Sequence, residues 1–285
     1  MIRSVGIVSK PGKEEIRPIV RELTSWLKQR GIAWKCDSVT AEYIECPDSF
    51  PREEMPGDFD LVIVLGGDGT LLSVARGVGA RQTPLLAVNL GGLGFLMSTG
   101  PHEIYEHLER VLIGDYAVQK RTVLSADVIR KGETIAHYEA LNDAVVSKAA
   151  MARLLELDAF VDDEFVCSYR ADGLIISTPT GSTAYSLSAG GPVIFPSVSA
   201  VCITPICPHT LTNRPVLLPD SSAVEIVIRA GDDLSYLTID GQVGLDLNLN
   251  DRIRTWPAKH HVQIVQPRQV RFFEVLRSKM KWGER

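Results

Sequence analysis

The run Leu61-Val62-Ile63-Val64-Leu65, followed at once by Gly66-Gly67-Asp68-Gly69-Thr70, constrains the fold more than any other part of this sequence. Five consecutive apolar residues fit a strand covered on both faces, as in a parallel sheet with helices on either side. The glycines then turn the chain into Leu71 to Arg76, which reads as a helix. A strand that turns sharply on glycines into a helix start presents backbone amides and the positive end of the helix dipole, a natural seat for a phosphate group. Gly66, Gly67, Gly69 and Thr70 make up that candidate phosphate-donor loop. It is not a Walker A loop, because no Lys-Ser or Lys-Thr follows, and its spacing is not that of a dinucleotide-binding Gly-x-Gly-x-x-Gly turn.

Asp68 is the unusual member of the loop. A carboxylate beside a phosphate is electrostatically unfavourable unless it binds a metal or takes up a proton during a reaction. The competing reading is that Asp68 only caps the helix. The loop by itself leaves these readings open.

Strand and helix patterns alternate through the rest of the first part of the chain, the order expected of a parallel α/β sheet. Val5 to Val8 is a short apolar strand. Ile16, Ile19, Val20, Leu23 and Leu27 recur at helical spacing, with Pro18 in the first turn and Gly31 just past the end. A long acidic connection with prolines runs from Glu45 to Asp58. Leu85 to Val88 is a second buried strand, and it leads into Asn89-Leu90-Gly91-Gly92-Leu93-Gly94-Phe95-Leu96. Neighbouring parallel strands open at their carboxyl ends into one crevice, so this second glycine cluster can line the same crevice as the first. Tight turns made only for packing are the alternative. Pro101 to Ile113 has one apolar face and stops at Gly114, which predicts an amphipathic helix.

After Tyr116 the period changes to two. Leu124 to Ile129, Leu154 to Tyr169, Val224 to Ile228 and Leu237 to Ile239 alternate, with turn candidates at Lys131-Gly132, Asp162-Asp163 and Asp240-Gly241. The expected architecture is therefore an α/β N-terminal domain with a parallel Rossmann-like sheet over 1–116, and an antiparallel all-β C-terminal domain, a β-sandwich, over 117–267. A C-terminal segment over 268–285 is expected to pack back on the first domain, with a strand and a helix between Val270 and Trp282.

The bulk properties remove several function classes. A formal net charge of −5 argues against broad binding to nucleic acid. No apolar run approaches the ~18 residues of a membrane span. The five cysteines are scattered without a Cys-x-x-Cys pair, which fits a reducing cytoplasm. His260 and His261 are adjacent and point to opposite faces of a strand, so no protein-built metal site is expected.

The longest unusual segment runs from Asp172-Gly173-Leu174-Ile175-Ile176-Ser177 through Thr178-Pro179-Thr180-Gly181-Ser182-Thr183-Ala184-Tyr185-Ser186-Leu187-Ser188-Ala189-Gly190-Gly191-Pro192. Dense small residues and hydroxyls suit a backbone lying against a flat polar ligand with many hydrogen-bonding edges. A Ser/Thr-rich linker is the alternative, but the apolar strand before it and the interleaved Tyr185 and Leu187 argue against disorder.

Taken in order and spacing, Gly66 to Thr70, Leu141-Asn142-Asp143, Arg170 to Leu174 and Thr178 to Pro192 resemble the NAD kinases. The first motif alone is shared with diacylglycerol-type lipid kinases; the long segment through Thr178 to Pro192, the third glycine-rich motif, is similar to NAD kinases only. The resemblance covers Leu61 to Gln242 and implies transfer of the γ-phosphoryl group of ATP to the 2′-hydroxyl of the adenosine ribose of NAD. It makes Asp68 the proton acceptor and, with Gly69, a contact of the dinucleotide. Asn142 and Asp143 become ligands of the NAD ribose and amide groups. Arg153, Arg170, Asp172 and Gln242 become substrate contacts, and Thr183, Ala184, Tyr185, Ser186, Leu187 and Ser188 surround the adenosine half. The family's commoner residue at position 143 is Glu; this chain keeps the carboxylate on a side chain shorter by one methylene. The resemblance also implies a homo-oligomer, dimer or tetramer, and a divalent ion, Mg²⁺, carried mainly by the phosphates and water. A competing reading of Arg170 and Asp172 is a plain ion pair near a strand end. Two rival functions remain at this level: a lipid kinase using the same glycine loop, and a non-catalytic NAD(P) sensor that has kept the fold.

Overall fold

The computed structural model describes residues 2–52, 55, 59–91, 94–97, 99–149, 153–230, 235–266 and 272–281. In chain order its elements are β1 (Ser4–Ser9), α1 (Ile16–Gln29), β2 (Ala33–Asp37), α2 (Ser38–Ile44), β3 (Ser49–Phe50), β4 (Leu61–Gly66), α3 (Asp68–Val78), β5 (Leu85–Asn89) and α4 (Ile104–Leu112). There follow β6 (Ala117–Arg130), β7 (Glu133–Ala140), β8 (Asp143–Lys148), β9 (Leu155–Val161), β10 (Glu164–Ala171), β11 (Gly173–Ser177), α5 (Tyr185–Ser188) and β12 (Ala200–Ile206). The chain ends with β13 (Val216–Pro219), β14 (Val224–Ala230), β15 (Ser235–Ile239), β16 (Val243–Leu247), β17 (Arg252–Gln266) and α6 (Phe272–Met280). These residues divide into two compact units, one within Met1–Lys120 and Val262–Arg285, the other within Arg121–His261. Neither crossing carries a turn signal, because β6 and β17 are continuous strands there.

The first unit is built on a parallel sheet in the order β5-β4-β1-β2-β3, and Ile264 and Val265 at the end of β17 pair parallel with β5. Every residue of β4 and β5 is buried, as their continuous apolar runs require. Helix α1 lays Ile16, Val20, Leu23 and Leu27 into the same core, and Gly31 beyond it takes the left-handed backbone that ends the helix.

The stretch read as a plain connection, Glu45 to Asp58, holds more structure than expected. It carries the short strand β3 and Arg52, whose guanidinium donates to Asp37 Oδ2, to the Ser9 carbonyl at 2.6 Å and to Ser73 Oγ at 3.2 Å. Asp37 is fully buried and also caps α2 by accepting from the Thr40 amide. One ion pair thus ties the carboxyl ends of β1 and β2 to helix α3. A charged residue in an acidic, proline-bearing stretch gives no sign of such burial. Helix α6 falls within the expected C-terminal segment, while the expected strand residues Val270 and Arg271 lie outside the described residues.

The second unit is antiparallel throughout its described pairings. One sheet runs β13-β12-β11-β8-β15-β16; the other contains β10-β9-β14-β17, with β6 pairing β17 and β7. Side chains alternate across each strand. Val146, Ile176, Ile203 and Leu237 from one sheet and Leu157, Ala159 and Ile226 from the other meet in a single core, the sandwich interior. The opposite face of the first of these sheets carries Asp143, Val145, Ile175, Ser177 and Thr204, and Ala189 packs on Val145 and Ile175 there.

The turn between β9 and β10 is a two-residue loop, Asp162-Asp163, with φ of 50° and 68°. Positive φ at both positions is what a tight hairpin demands, and glycine meets that demand at the second position without a Cβ clash. Asp162 keeps a role, accepting from the Ala223 amide. Replacing Asp163 with Gly is expected to raise stability by about 0.5 kcal/mol, read as a higher urea midpoint; a lower midpoint would show that the Asp163 side chain holds the turn.

Candidate functional site

In the first unit, β4 and β5 run side by side to Gly66 and Asn89, so both glycine clusters leave the same edge of the sheet. Gly67 occupies the cap position of α3 with extended backbone, and Asp68 is the first helical residue. The capping reading of Asp68 therefore fails. Its carboxylate instead accepts from the amides of Phe95, at 3.1 Å, and Leu96, at 3.4 Å, across 27 residues of chain. A Cβ at Gly94 would overlap that carboxylate, and one at Gly66 would overlap the Thr70 side chain. At these positions glycine is needed for close approach, not for an unusual φ. Among the described residues, nothing beyond its chain neighbours lies within 4 Å of where a Gly67 side chain would begin, so the loop is open on that side. The second cluster thus packs and orients: it fixes Asp68, while Asn89 Oδ1 takes the Gly91 amide and the Leu90 amide bonds the Gly66 carbonyl. Its central residues, Gly92 and Leu93, lie outside the described residues.

In the second unit, the start of β8 is brought against the end of β11. The Thr178 amide donates to the Asn142 carbonyl at 2.9 Å, and Thr178 Oγ1 donates to the Leu141 carbonyl at 2.6 Å. A Cβ at Gly181 would overlap the Asn142 backbone, so the third motif closes on the second through a glycine. Asp143 lies on the outer face of the sheet and is only 4% exposed. Burial first, and the neighbouring Asp240 second, push its carboxyl from an ordinary 3.8 up to about 7. Opposite it in the sheet stands Ser177, whose buried hydroxyl has no hydrogen-bond partner.

The hydroxyls of the third segment are spent largely inside the chain. Ser182 Oγ donates to the Pro179 carbonyl, Thr183 Oγ1 to the Thr180 carbonyl, and Ser186 Oγ bonds Thr204 Oγ1 at 2.9 Å. These bonds hold the shape of the backbone that the sequence predicts to lie against a flat polar ligand. What the segment offers outward is its backbone, with Thr183, Ala184 and Leu187 half-buried and the side chains of Tyr185 and Ser188 exposed.

The remaining expected contacts are spread along the same unit. Asp172 pairs with Lys148 at 2.9 Å rather than with Arg170, which is exposed and whose carbonyl accepts from the His209 amide. Arg153 is exposed just before β9, and Gln242 is exposed at the end of the Asp240-Gly241 turn. Two residues escaped the sequence reading. Thr178 was absorbed in a run of small residues, and Asp240 read as an ordinary Asp-Gly turn; neither carries a local signal of the hydrogen bonds it makes.

Comparison with known proteins places this geometry. Residues 5–116 match the model of the ATP-NAD kinase N-terminal domain, and residues 141–267 match that of the ATP-NAD kinase C-terminal domain. The NAD kinase of Solibacter usitatus (strain Ellin6076) is 53% identical over 285 residues, covering 100% of this chain and 99% of that protein. The NAD kinase of Koribacter versatilis (strain Ellin345) is 47% identical and covered in full on both sides. Among solved structures, yeast NADH kinase complexed with NADH aligns over 100% of this chain and 89% of its own with a TM-score of 0.90, at 29% identity. An NAD kinase from Archaeoglobus fulgidus in complex with ATP shares the fold over 98% of each chain, with a TM-score of 0.78 at 23% identity.

The raised Asp143 carboxyl has a consequence for stability. The folded protein holds this proton more tightly than the unfolded chain does, so the favourable contribution is complete in acid and is lost as pH rises from 3.8 to about 7. Asp143→Asn is expected to flatten that slope and to be more stable than wild type above pH 7 by roughly 1–4 kcal/mol, measured by urea unfolding across pH. Equal slopes in both proteins would mean that Asp143 ionises freely in the fold.

Proposed function

The chain belongs to the NAD kinase family, and on that premise we propose that it transfers the γ-phosphoryl group of ATP to the 2′-hydroxyl of the adenosine ribose of NAD, forming NADP. The observation that carries the mechanism is Asp68, a carboxylate at the first turn of a helix, oriented by two amides beside an open glycine loop. The loop formed by Gly66, Gly67, Gly69 and Thr70 seats the donor phosphates, since helix-start amides favour anions. The 2′-oxygen attacks the γ-phosphorus, the bond from that phosphorus to the β–γ bridging oxygen breaks, and ADP leaves. Asp68 receives the ribose proton. Such a transfer asks for positioning and charge neutralisation more than for covalent chemistry by the protein.

The dinucleotide falls to the second unit. Asn142 and Asp143 take ribose and amide groups, the exposed edge of the Thr183 to Ser188 segment takes the adenosine half, and Arg153, Arg170, Asp172 and Gln242 complete the contacts. Among the described residues no group of three or more His, Cys, Asp or Glu is placed to hold a metal. A Mg²⁺ ion that keeps mostly phosphate and water ligands needs no such cage, so these residues fit one that arrives with the triphosphate. Bound there, it neutralises phosphate charge.

The protein works as a homo-oligomer in the cytoplasm on this reading. Exposed Phe165, Val166 and Leu249 in the second unit supply apolar surface for a second copy. All five cysteines are free, as a reducing compartment allows, and among the described residues no helix is long and apolar enough to cross a membrane.

Asp68→Asn tests the chemistry. It keeps the size of the side chain and removes its capacity to accept a proton, and it gives up one of the two amide bonds, since an NH₂ cannot accept from Phe95 or Leu96. NAD affinity should change little while kcat falls by roughly 10²–10⁴, measured by NADP production and by titration with NAD. Turnover within about threefold of wild type would remove Asp68 as the proton acceptor. Diacylglycerol offered in place of NAD should yield no product; a phosphorylated lipid would support the lipid-kinase reading instead.

A further inference from the structure

The chain from the end of β7 into the first residue of β8, Leu141-Asn142-Asp143, has its carbonyls taken by Thr178 and by the Asp240 amide. Its amides have a single acceptor. Asp240 Oδ1 takes the Asn142 amide at 2.7 Å and the Asp143 amide at 3.3 Å, while Oδ2 takes the Leu141 amide at 3.1 Å. Asp240 is 7% exposed and sits with φ of 52°, directly after β15, which turns its carboxylate back over the beginning of the neighbouring strand. A buried carboxylate receiving three amides is a strong, directional arrangement. Its cost is plain: a second acid, Asp143, is held in its field. An arrangement that opposes its own neighbour calls for a functional reason.

We propose that Asp240 is a positioning residue for the dinucleotide, its carboxylate clamping the amides of 141–143 so that Asn142 and Asp143 meet the substrate in one fixed direction. This rests on the reading of Asn142 and Asp143 as substrate ligands. Asparagine cannot replace the carboxylate, because its NH₂ would face an amide N–H. Among the described residues, Asp240 is the charged group that acts on the Asp143 carboxyl; Ser177 of β11, which faces it, and Thr178 just after β11 carry no charge, and Lys148 on its own strand is paired with Asp172.

The test is Asp240→Asn, with NAD binding measured by calorimetry in the absence of ATP across pH. The expected result is a dissociation constant for NAD at least roughly tenfold higher, the scale of one lost ligand hydrogen bond, with the KM for ATP within about twofold. The pH midpoint of NAD binding should also move to lower pH, since the negative neighbour of Asp143 is gone, and the weaker binding should persist below that midpoint, where Asp143 is protonated in both proteins and only positioning differs. An unchanged dissociation constant and midpoint, with only a lower melting temperature, would overturn the proposal. Should this variant not fold, Asp240→Glu keeps the charge and displaces it by one methylene; weaker NAD binding at an unmoved midpoint supports the clamp, and wild-type affinity overturns it. Hydrogen exchange on the wild-type protein needs no variant: the Leu141 and Asn142 amides should be protected like those inside β8, and rapid exchange would contradict the clamp. If the wild type itself binds no NAD, the substrate assignment fails rather than the clamp.

Discussion

The carboxylate of Asp68, held by the amides of Phe95 and Leu96, is the interaction on which the first unit's functional edge depends. Without it the second glycine cluster would keep its Leu90–Gly66 backbone bond but lose its hold on the acid, which would be free to turn away from the loop. Gly94 allows the approach by having no side chain, and Gly66 makes room for Thr70. Below this edge, Arg52 and the buried Asp37 hold α3 to the ends of β1 and β2.

The second unit solves a related problem with opposite materials. There a carboxylate, Asp240, collects three amides, and a second carboxyl, Asp143, is buried beside it at a cost in stability near neutral pH. Ser177, opposite Asp143, keeps a buried hydroxyl without a partner. A fold selected for stability alone would satisfy or remove such groups. Their clustering where Leu141-Asn142-Asp143 meets the Thr178 to Pro192 segment supports the ligand role proposed for Asn142 and Asp143.

How far this was legible in the sequence depends on the range of the interaction. Strands β4 and β5 and helices α1 and α4 were readable, because burial on both faces or on one stripe imposes a local period. The hairpin turns at Lys131-Gly132 and Asp162-Asp163 were readable because positive φ selects particular residues. Helix α2 and the burial of Arg52 were not, since a capped seven-residue helix and a charge in a polar stretch leave no periodic trace. Asp68 could be singled out by the oddity of an acid in a phosphate seat, yet its partners lie 27 and 28 residues away. Asp240 looked like a turn residue because its role appears only when β15 pairs with β8. The partners of the hydroxyls in the Thr178 to Pro192 segment were hidden for the same reason, since Ser186 finds Thr204 across 18 residues.

The most direct test of the account is the identity of the product. The protein would be incubated with NAD, ATP and Mg²⁺, and the phosphorus spectrum of the mixture followed by nuclear magnetic resonance. The account predicts that each ADP formed is matched by one new phosphomonoester, coupled to the 2′ position of the adenosine ribose. ADP appearing without a phosphorylated dinucleotide, or a phosphate on any other hydroxyl, would contradict it.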